Sequence, residues 1–257
     1  METSAPDPRL VELLARARRV MVFTGAGVST GSGIPDFRGP DGVWKVRRPV
    51  ELGEFLRSAA AGGESWVGTL ERRPRPRGAA PNATHRACAR LEEAGRLEAV
   101  VTQNVDGLHE RAGTSRQRLV ELHGTDSRVT CLTCGVEAPL EETYAAFAAS
   151  GRAPRCPCGG FLKPATISFG QALRTEDLER AARAAAACDL ALSLGSTLSV
   201  HPAAGFPLLA ARRGVPYVIV NRGRTDHDGL PLVTLRLDGD VSALFAPAVD
   251  QALGAAA

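Results

Sequence analysis

An α/β fold, with a parallel sheet covered by helices on both faces and a small cysteine-rich domain inserted in the chain, is what this sequence predicts. Three observations carry the prediction. Short apolar runs alternate with stretches of helical periodicity along most of the chain. Five of those apolar runs end in glycine or in hydrogen-bonding residues. Between residues 126 and 164 the composition shifts to cysteine, glycine and proline.

In order, PRLVELLARARR at residues 8–19 sets Leu10, Leu13, Leu14 and Ala17 on one face of an amphipathic helix. RRVMVF at 18–23 supplies a strand, and TGAGVSTGSGIPDFRG at 24–39 follows it. Gly-Ala-Gly suits a tight phosphate-binding turn, but Thr30 stands where a third glycine would complete G-x-G-x-x-G. Gly31, Gly33 and Pro35 keep the next stretch from forming a helix, so the turn opens into a loop carrying Asp36, Phe37 and Arg38. Residues 40–81 read as irregular, with a short helix in PVELGEFLRSAAAG and a basic, proline-rich connector, ERRPRPRGAAP, that reads as a solvated loop. Asn82 starts a helix that Gly95 closes. LEAVVTQN is the next strand, DGLHERAG a short helix closed by Gly113, and RLVELHG another strand. Past the cysteine-rich interval, TEDLERAARAAAAC at 175–188 is a helix, LALSLGSTL a buried strand with a glycine turn, and FPLLAARRG a helix. VPYVIVN and LVTLRLDG are the last strands, and VSALFAPAVDQAL is the closing helix.

A chain of 257 residues suffices for one such unit with a real core and a small insertion. The formal charge of +3 points to no polyanionic partner, so no dedicated nucleic-acid site is expected. No apolar run reaches membrane-spanning length, and METSAPDPRL lacks the pattern of a secretory signal. A cytoplasmic protein is therefore the expectation, and its six cysteines read as ligands or buried thiols rather than disulfides.

Ligands of open parallel sheets bind outside the carboxyl ends of the strands. At that edge the sequence sets Gly25-Ala26-Gly27, Gln103-Asn104-Val105-Asp106, His123-Gly124, Gly195-Ser196-Thr197 and Asn221. Turn formation accounts for one or two such endings, not for five at one edge. Gly25 and Gly27 would let backbone N–H groups approach a pyrophosphate, and Ser29 and Ser32 would add hydroxyl donors. Gly195-Ser196-Thr197 suits a ribose or a phosphate, and Asn221 a ribose hydroxyl. The acid expected ~20 residues past the glycines of a dehydrogenase is absent, because that region reads VWKVRRPV; hydride transfer is disfavoured.

His123, between a strand and a glycine, is the candidate general base, with an intrinsic pKa suited to proton abstraction near neutrality. His85 and His109 fall on helices and read as structural, His201 and His227 fall in loops without obvious partners, and Cys88 and Cys188 read as small buried apolar groups. The other four cysteines form two close pairs, Cys131–Cys134 and Cys156–Cys158. Two thiolate pairs beside glycines suit one closed tetrahedral zinc site, structural because four cysteines leave no open position; free or redox-active thiols are the alternative. The second pair is C-x-C, which demands a tighter local geometry than C-x-x-C.

GAGVSTGSGIPDFRG, TQNVDGLHERAG, ELHGT, the two cysteine pairs, GSTLSVHPA and VIVN, in this order, resemble the sirtuins, NAD-dependent protein-lysine deacylases, from about residue 20 to residue 245. The resemblance implies a Rossmann-like large domain, residues 1–38, 82–125 and 166–257, and a small zinc-bearing domain, residues 39–81 and 126–165, with NAD and an acyl-lysine peptide meeting between them. It implies that the stretch after the glycine turn is a cofactor loop, that Ala26, Ile34, Asp36 and Phe37 surround the nicotinamide end, and that Arg38 lies near the phosphates. It implies further that Gln103, Asn104 and Asp106 hold the nicotinamide ribose and carboxamide, and that Gly195, Ser196, Asn221 and Val241 hold the adenosine half. His123 and Asn104 are the catalytic residues it implies, His123 acting on a ribose hydroxyl, with nicotinamide, free lysine and O-acyl-ADP-ribose as products. PATISFGQ at 164–171, with Ile167, Phe169 and Gly170, stands where sirtuins pair with the backbone of the substrate peptide by strand addition; Gln171 replaces the usual glutamate.

Two departures bear on the acyl group. Sirtuins that prefer succinyl groups carry Tyr-x-x-Arg; aligning on Arg72-Arg73 puts Thr69 at the tyrosine, so weak desuccinylation is expected. FRGPDGVW and TDHDG…LRLDGD resemble the nuclear branch noted for deacylation and mono-ADP-ribosylation, whereas the cysteine region does not, which keeps long-chain deacylation and protein mono-ADP-ribosyl transfer as alternatives. A sensor of NAD or ADP-ribose with a zinc ribbon for protein contacts would not need His123 with Asn104 and Asp106, and all three are present.

Overall fold

The computed structural model of the chain describes residues 5–38, 42, 45, 51–53 and 79–254. Most of the helix expected in residues 49–62, the basic connector up to residue 78, and Thr69 with Arg72-Arg73 lie outside the described residues.

Strands β1 (Val20–Thr24), β2 (Leu97–Thr102), β3 (Leu119–Glu121), β7 (Leu190–Leu194), β8 (Tyr217–Asn221) and β9 (Leu235–Asp238) form one six-stranded sheet in the order β3-β2-β1-β7-β8-β9. Every neighbouring pair is parallel. Taken in chain order, this is the doubly wound arrangement in which the strand order reverses at β1, and the crevice at that reversal is where such sheets bind ligands. The strands are near-continuous apolar runs because both faces are covered. On one face Val22, Val100, Leu192 and Val220 pack against Leu10, Leu14, Leu91, Phe245 and Val249, which come from α1 (Pro8–Arg16), α2 (Ala83–Glu93) and α7 (Val241–Gly254). On the other, Met21, Phe23, Val101 and Ile219 pack against Ala181, Ala184, Phe206 and Ala210 of α5 (Thr175–Ala187) and α6 (Gly205–Ala211). No described helix is long and apolar enough to cross a membrane.

Side chains close the helix ends near the site. Asp7 caps α1 by accepting from the Arg9 N–H, and Asn82 and His85 form a reciprocal capping box at the start of α2. The buried Arg96 donates from Nε to Ala17 O and from Nη2 to Leu14 O, satisfying carbonyls that the end of α1 leaves unpaired.

The cysteine-rich interval holds more regular structure than its composition suggests. Strands β4 (Gly124–Cys131), β5 (Glu137–Pro139) and β6 (Leu162–Thr166) make an antiparallel sheet in the order β5-β4-β6, covered by α4 (Leu140–Ser150). Its core is small: Val129, Leu140 and Phe147. The short helix expected in DGLHERAG is α3 (Leu108–Arg111).

Candidate active site

The site assembles around β1, where the sheet order reverses. After β1 the chain makes two single-turn 3-10 helices, Ala26–Val28 and Thr30–Ser32, the second closed by Gly33 at φ +80°, before an irregular stretch to Arg38. The expected loop is therefore partly wound, and among the described residues up to Arg38 no α-helix follows the glycines. The glycine turn of β1 lies directly against that of β7. A Cβ on Gly25 would sit 2.7 Å from Gly195 O, one on Gly27 2.8 Å from Gly195 Cα, and one on Gly195 2.5 Å from Val28 N. The three glycines let two backbones touch. Their own amides are committed within the fold: Gly25 N–H donates to Leu194 O (3.0 Å) and Gly27 N–H to Gly195 O (2.9 Å). Ala26, as first residue of its turn, has no intrahelical acceptor for its N–H.

Hydrogen bonds tie together the residues that follow β1 and β2. Asn104 Nδ2 donates to Gly25 O (3.1 Å) and lies 3.2 Å from Ser29 Oγ. Ser29 Oγ donates to Asp106 Oδ2 (2.7 Å), and Asp106 Oδ1 accepts the N–H of Leu108, starting α3 (2.9 Å). Gln103 Nε2 donates to Ser196 Oγ (2.8 Å), joining the end of β2 to the end of β7. Beneath Asn104 lies a layer the sequence reading missed. Asn104 N–H and Thr24 Oγ1 both donate to Thr102 Oγ1 (3.0 and 2.7 Å), and Thr24 Oγ1 in turn meets His109 Nε2 at 3.1 Å. Because the Thr24 hydroxyl is spent on Thr102, His109 donates from Nε2. Burial pushes the His109 pKa well below its usual value, which keeps the ring neutral. These threonines look like ordinary strand residues in sequence; only pairing of β1 with β2 makes them a platform for Asn104.

His123 stands between β3 and β4, beside this network. Its Nδ1 lies 3.0 Å from Gln103 O. A carbonyl can only accept, so Nδ1 carries the proton and Nε2 keeps a lone pair. Burial lowers its pKa; the Gln103 carbonyl opposes this, and the Arg38 charge adds to it. The ring is therefore neutral, with its basic nitrogen ready, at neutral pH. Gly124 after it has φ +71° and lets β6 pass close by, and Ile167 N–H donates to His123 O at 2.7 Å.

Other residues named from the sequence have some of their groups committed within the fold. Asn221 is buried and turns its Nδ2 into its own loop, toward Arg222 O (3.0 Å) and Gly223 O (3.2 Å), which leaves only its oxygen for a ligand. The Val241 side chain is in the core, so its backbone alone could face an adenosine. Thr197 Oγ1 pairs with Ser199 Oγ, and its carbonyl holds Asp226 N–H. Ile167–Gly170 is not a strand: β6 stops at Thr166, and the segment continues as extended chain that meets Glu51 through a single bridge at Phe169. Phe37 and Phe169, at 42% and 40% exposure, are among the few exposed large apolar side chains. His227 does have a partner, the buried Tyr217 hydroxyl at 3.0 Å from its Nδ1. Ser196 Oγ also accepts the N–H of Leu198, whose φ of 58° is held against its ~1–2 kcal/mol cost by complete burial of the side chain.

The thiols of Cys131, Cys134, Cys156 and Cys158 lie within 4.8 Å of one another, with Cys131–Cys158 Sγ at 3.5 Å and Cys134–Cys156 at 3.7 Å. Four sulfurs at ~2.3 Å from one zinc ion stand roughly 3.8 Å apart in a tetrahedron, so the set fits a structural zinc. Glycine accommodates the tight C-x-C pair: Gly159 takes φ +86°, and a Cβ on Gly160 would lie 2.6 Å from Cys131 Sγ.

With this geometry in place, comparison with known proteins is specific. The family model described as Sir2 family matches residues 25–202. NAD-dependent protein deacetylase 1 of Bradyrhizobium diazoefficiens is 42% identical over 231 residues, which is 90% of this chain and 91% of that protein. An NAD-dependent protein deacetylase of Haloarcula marismortui is 41% identical over 233 residues, 89% and 88% of the two chains. A solved Sir2 structure with a p53 peptide and NAD+ superposes with a TM-score of 0.83 at 35% identity, covering 96% of this chain and 98% of that one. A Sir2 enzyme bound to a propionylated peptide gives 0.82 at 34% identity, covering 99% of both. The order of motifs, the reversed strand order with its His123 network, and matches spanning nine-tenths of the chain agree: the protein belongs to the Sir2 family.

Proposed function

We propose that the protein removes acetyl groups from protein lysines at the expense of NAD, forming nicotinamide, O-acetyl-ADP-ribose and free lysine. The observation that carries this reading is His123: neutral, with its Nδ1 proton fixed on Gln103 O and its Nε2 lone pair available beside Asn104. The 42% identical relative named as an NAD-dependent protein deacetylase supports the same reaction. When bound, NAD supplies a ribose carbon that takes the acyl oxygen as nicotinamide leaves. The chain then has three tasks. Asn104, Ser29 and Asp106, locked to one another, and Gln103, held by Ser196, orient the ribose. His123 Nε2 accepts a proton from a ribose hydroxyl. Arg38, with Ala26, Ile34, Asp36 and Phe37, closes over the pyrophosphate and nicotinamide, while Gly195, Ser196, Thr197, Asn221 and the Val241 backbone receive the adenosine half.

The acyl-lysine peptide enters along Ile167–Gly170, between residues 1–38, 82–125 and 166–257 as one domain and residues 39–81 and 126–165 as the other. Zinc on the four cysteines holds the smaller domain and takes no part in the chemistry. Four thiols kept as ligands suit a reducing compartment, and we assign the cytoplasm.

The first test incubates the protein with an acetyl-lysine peptide, with and without NAD, and follows peptide mass and nicotinamide release. NAD-dependent loss of acetyl with matched nicotinamide supports the reading; nicotinamide release without it points to ADP-ribosyl transfer. His123→Ala is expected to bind NAD normally and to lose about 10²- to 10⁴-fold in turnover. Full activity in that variant would refute the role of His123.

A further inference from the structure

The zinc-bearing sheet contains a buried charge that the reaction as described does not use. Lys163 on β6 is 4% exposed, and no carboxylate accompanies it among the described residues. Its Nζ donates to Pro164 O (3.1 Å) and to Thr166 O, two carbonyls of its own strand. This is the point where the β4–β6 ladder loses register: Val129 pairs with Pro164, and the next pair is Gly124 with Thr166. Four residues of β4, Thr125–Arg128, therefore stand opposite one residue of β6, Ala165. Carbonyls in a broken ladder need donors, and that of Pro164 is buried away from water. An ammonium with three rotatable donors on a flexible stem fits that need. Burial draws its pKa down to about 8, so the charged donor persists at pH 7.

The bracing matters because of what comes next in the chain. Ile167, directly after Thr166, donates its N–H to His123 O, and the segment ends in the left-handed Gly170. The lysine thus grips the last strand residues before the stretch assigned to the substrate backbone, and that stretch is attached to the candidate base. We propose that Lys163 is a positioning residue for the acyl-lysine peptide: its buried ammonium fixes the carbonyls of Pro164 and Thr166, and through them the register of Ile167–Gly170 against His123. The proposal rests on the deacetylation reading above.

The experiment uses the full-length, zinc-loaded protein and its Lys163→Met, Lys163→Gln and Lys163→Arg variants. It measures kcat, the KM for an acetyl-lysine peptide, the KM for NAD, the Kd of a labelled acetyl-lysine peptide by fluorescence anisotropy, and the thermal midpoint. Removing charged hydrogen bonds from Lys163 should raise the peptide KM and Kd by about tenfold or more in Lys163→Met. kcat and the NAD KM should stay within about twofold, and Lys163→Arg should bring the peptide KM back to within about threefold. A folded Lys163→Met protein with an unchanged peptide KM overturns the assignment, as does an equal loss toward peptide and NAD, which is the mark of a merely structural role. If Lys163→Met does not fold, Lys163→Gln, which keeps a neutral donor, decides the comparison by the same criterion. A wild-type protein that binds the peptide but never deacetylates it refutes the deacetylation reading, while the anisotropy series still decides Lys163. A wild-type protein that neither binds nor turns over the peptide overturns both.

Discussion

Replacing Gly124 by alanine would place a Cβ 2.0 Å from Ala165 O and 3.1 Å from Ala165 C, backbone atoms that no rotamer change can move. Two costs follow, and the structure separates them. At φ +71° any residue with a Cβ carries a left-handed strain of about 1–2 kcal/mol. Gly214, after α6, has a similar φ of +81° with nothing within 4 Å of its ideal Cβ, so Gly214→Ala isolates that strain. The rest of the Gly124→Ala cost is displacement, because β6 must retreat by roughly 1 Å before the contact becomes tolerable. Strain alone leaves a domain of ordinary stability, about 5–15 kcal/mol, folded. The retreat, however, breaks into the His123 O–Ile167 N–H bond of 2.7 Å and shifts the catalytic edge. Urea unfolding should show both variants destabilised with unchanged m, Gly124→Ala clearly the more. kcat/KM for an acetyl-lysine peptide should fall at least about tenfold in Gly124→Ala and stay near wild type in Gly214→Ala. Equal stability and equal activity in the two variants would refute the argument that close approach at Gly124 seats His123 on β6.

Two other outcomes follow from buried groups. Burial lowers the His85 pKa to about 4, Asp106 opposing and Arg86 adding to the shift, and His109 moves the same way. A histidine that is harder to protonate when folded stabilises fully above its unfolded pKa of about 6.5, and this is lost as pH falls toward 4; for His85 the loss by pH 5 is about 2 kcal/mol. Urea midpoints at pH 7 and pH 5 should show it, with a correspondingly smaller loss in His85→Gln; identical pH dependence in the two proteins would count against a neutral His85. The core of the three-stranded sheet, Val129, Leu140 and Phe147, is too small to hold alone, so zinc removal should loosen that sheet while the six-stranded core persists. Chelation should open residues 126–161 to proteolysis as one zinc per chain is released, and an unchanged digestion pattern would contradict it.

The deep layer of this fold was legible because its signal is local. Apolar strands such as VMVF, LALSL and YVIVN must be covered on both faces, and the periodic helices between them supply the cover, so strand type and sheet class follow from the chain itself. The endings of those strands likewise pointed to Gly25, Asn104, His123 and Ser196 as one edge, and the structure joins them in contacts between the ends of β1, β2, β3 and β7. The cysteine pairs were legible for the same reason: spacing fixes what four thiols can reach. In the interval around them, Leu140–Ser150 buries only Leu140 and Phe147, too sparse an apolar pattern to stand out as a helix, and β4–β6 is a non-local pairing that no window of sequence reports.

What tertiary structure alone decided is how each group is spent. The packing of two glycine turns consumes the amides of Gly25 and Gly27. The Asn221 amide nitrogen closes its own loop, which leaves its oxygen for a ligand. Thr24, Thr102 and His109 are unremarkable in sequence and become the platform beneath Asn104 only when β1 lies beside β2. Sequence determined which chemical groups reach the edge of the sheet, because strand periodicity and chain order carry them there. Only the folded contacts determined which donors and acceptors remain for a ligand, because a hydrogen bond is used up by whichever partner, near or distant in the chain, arrives at it.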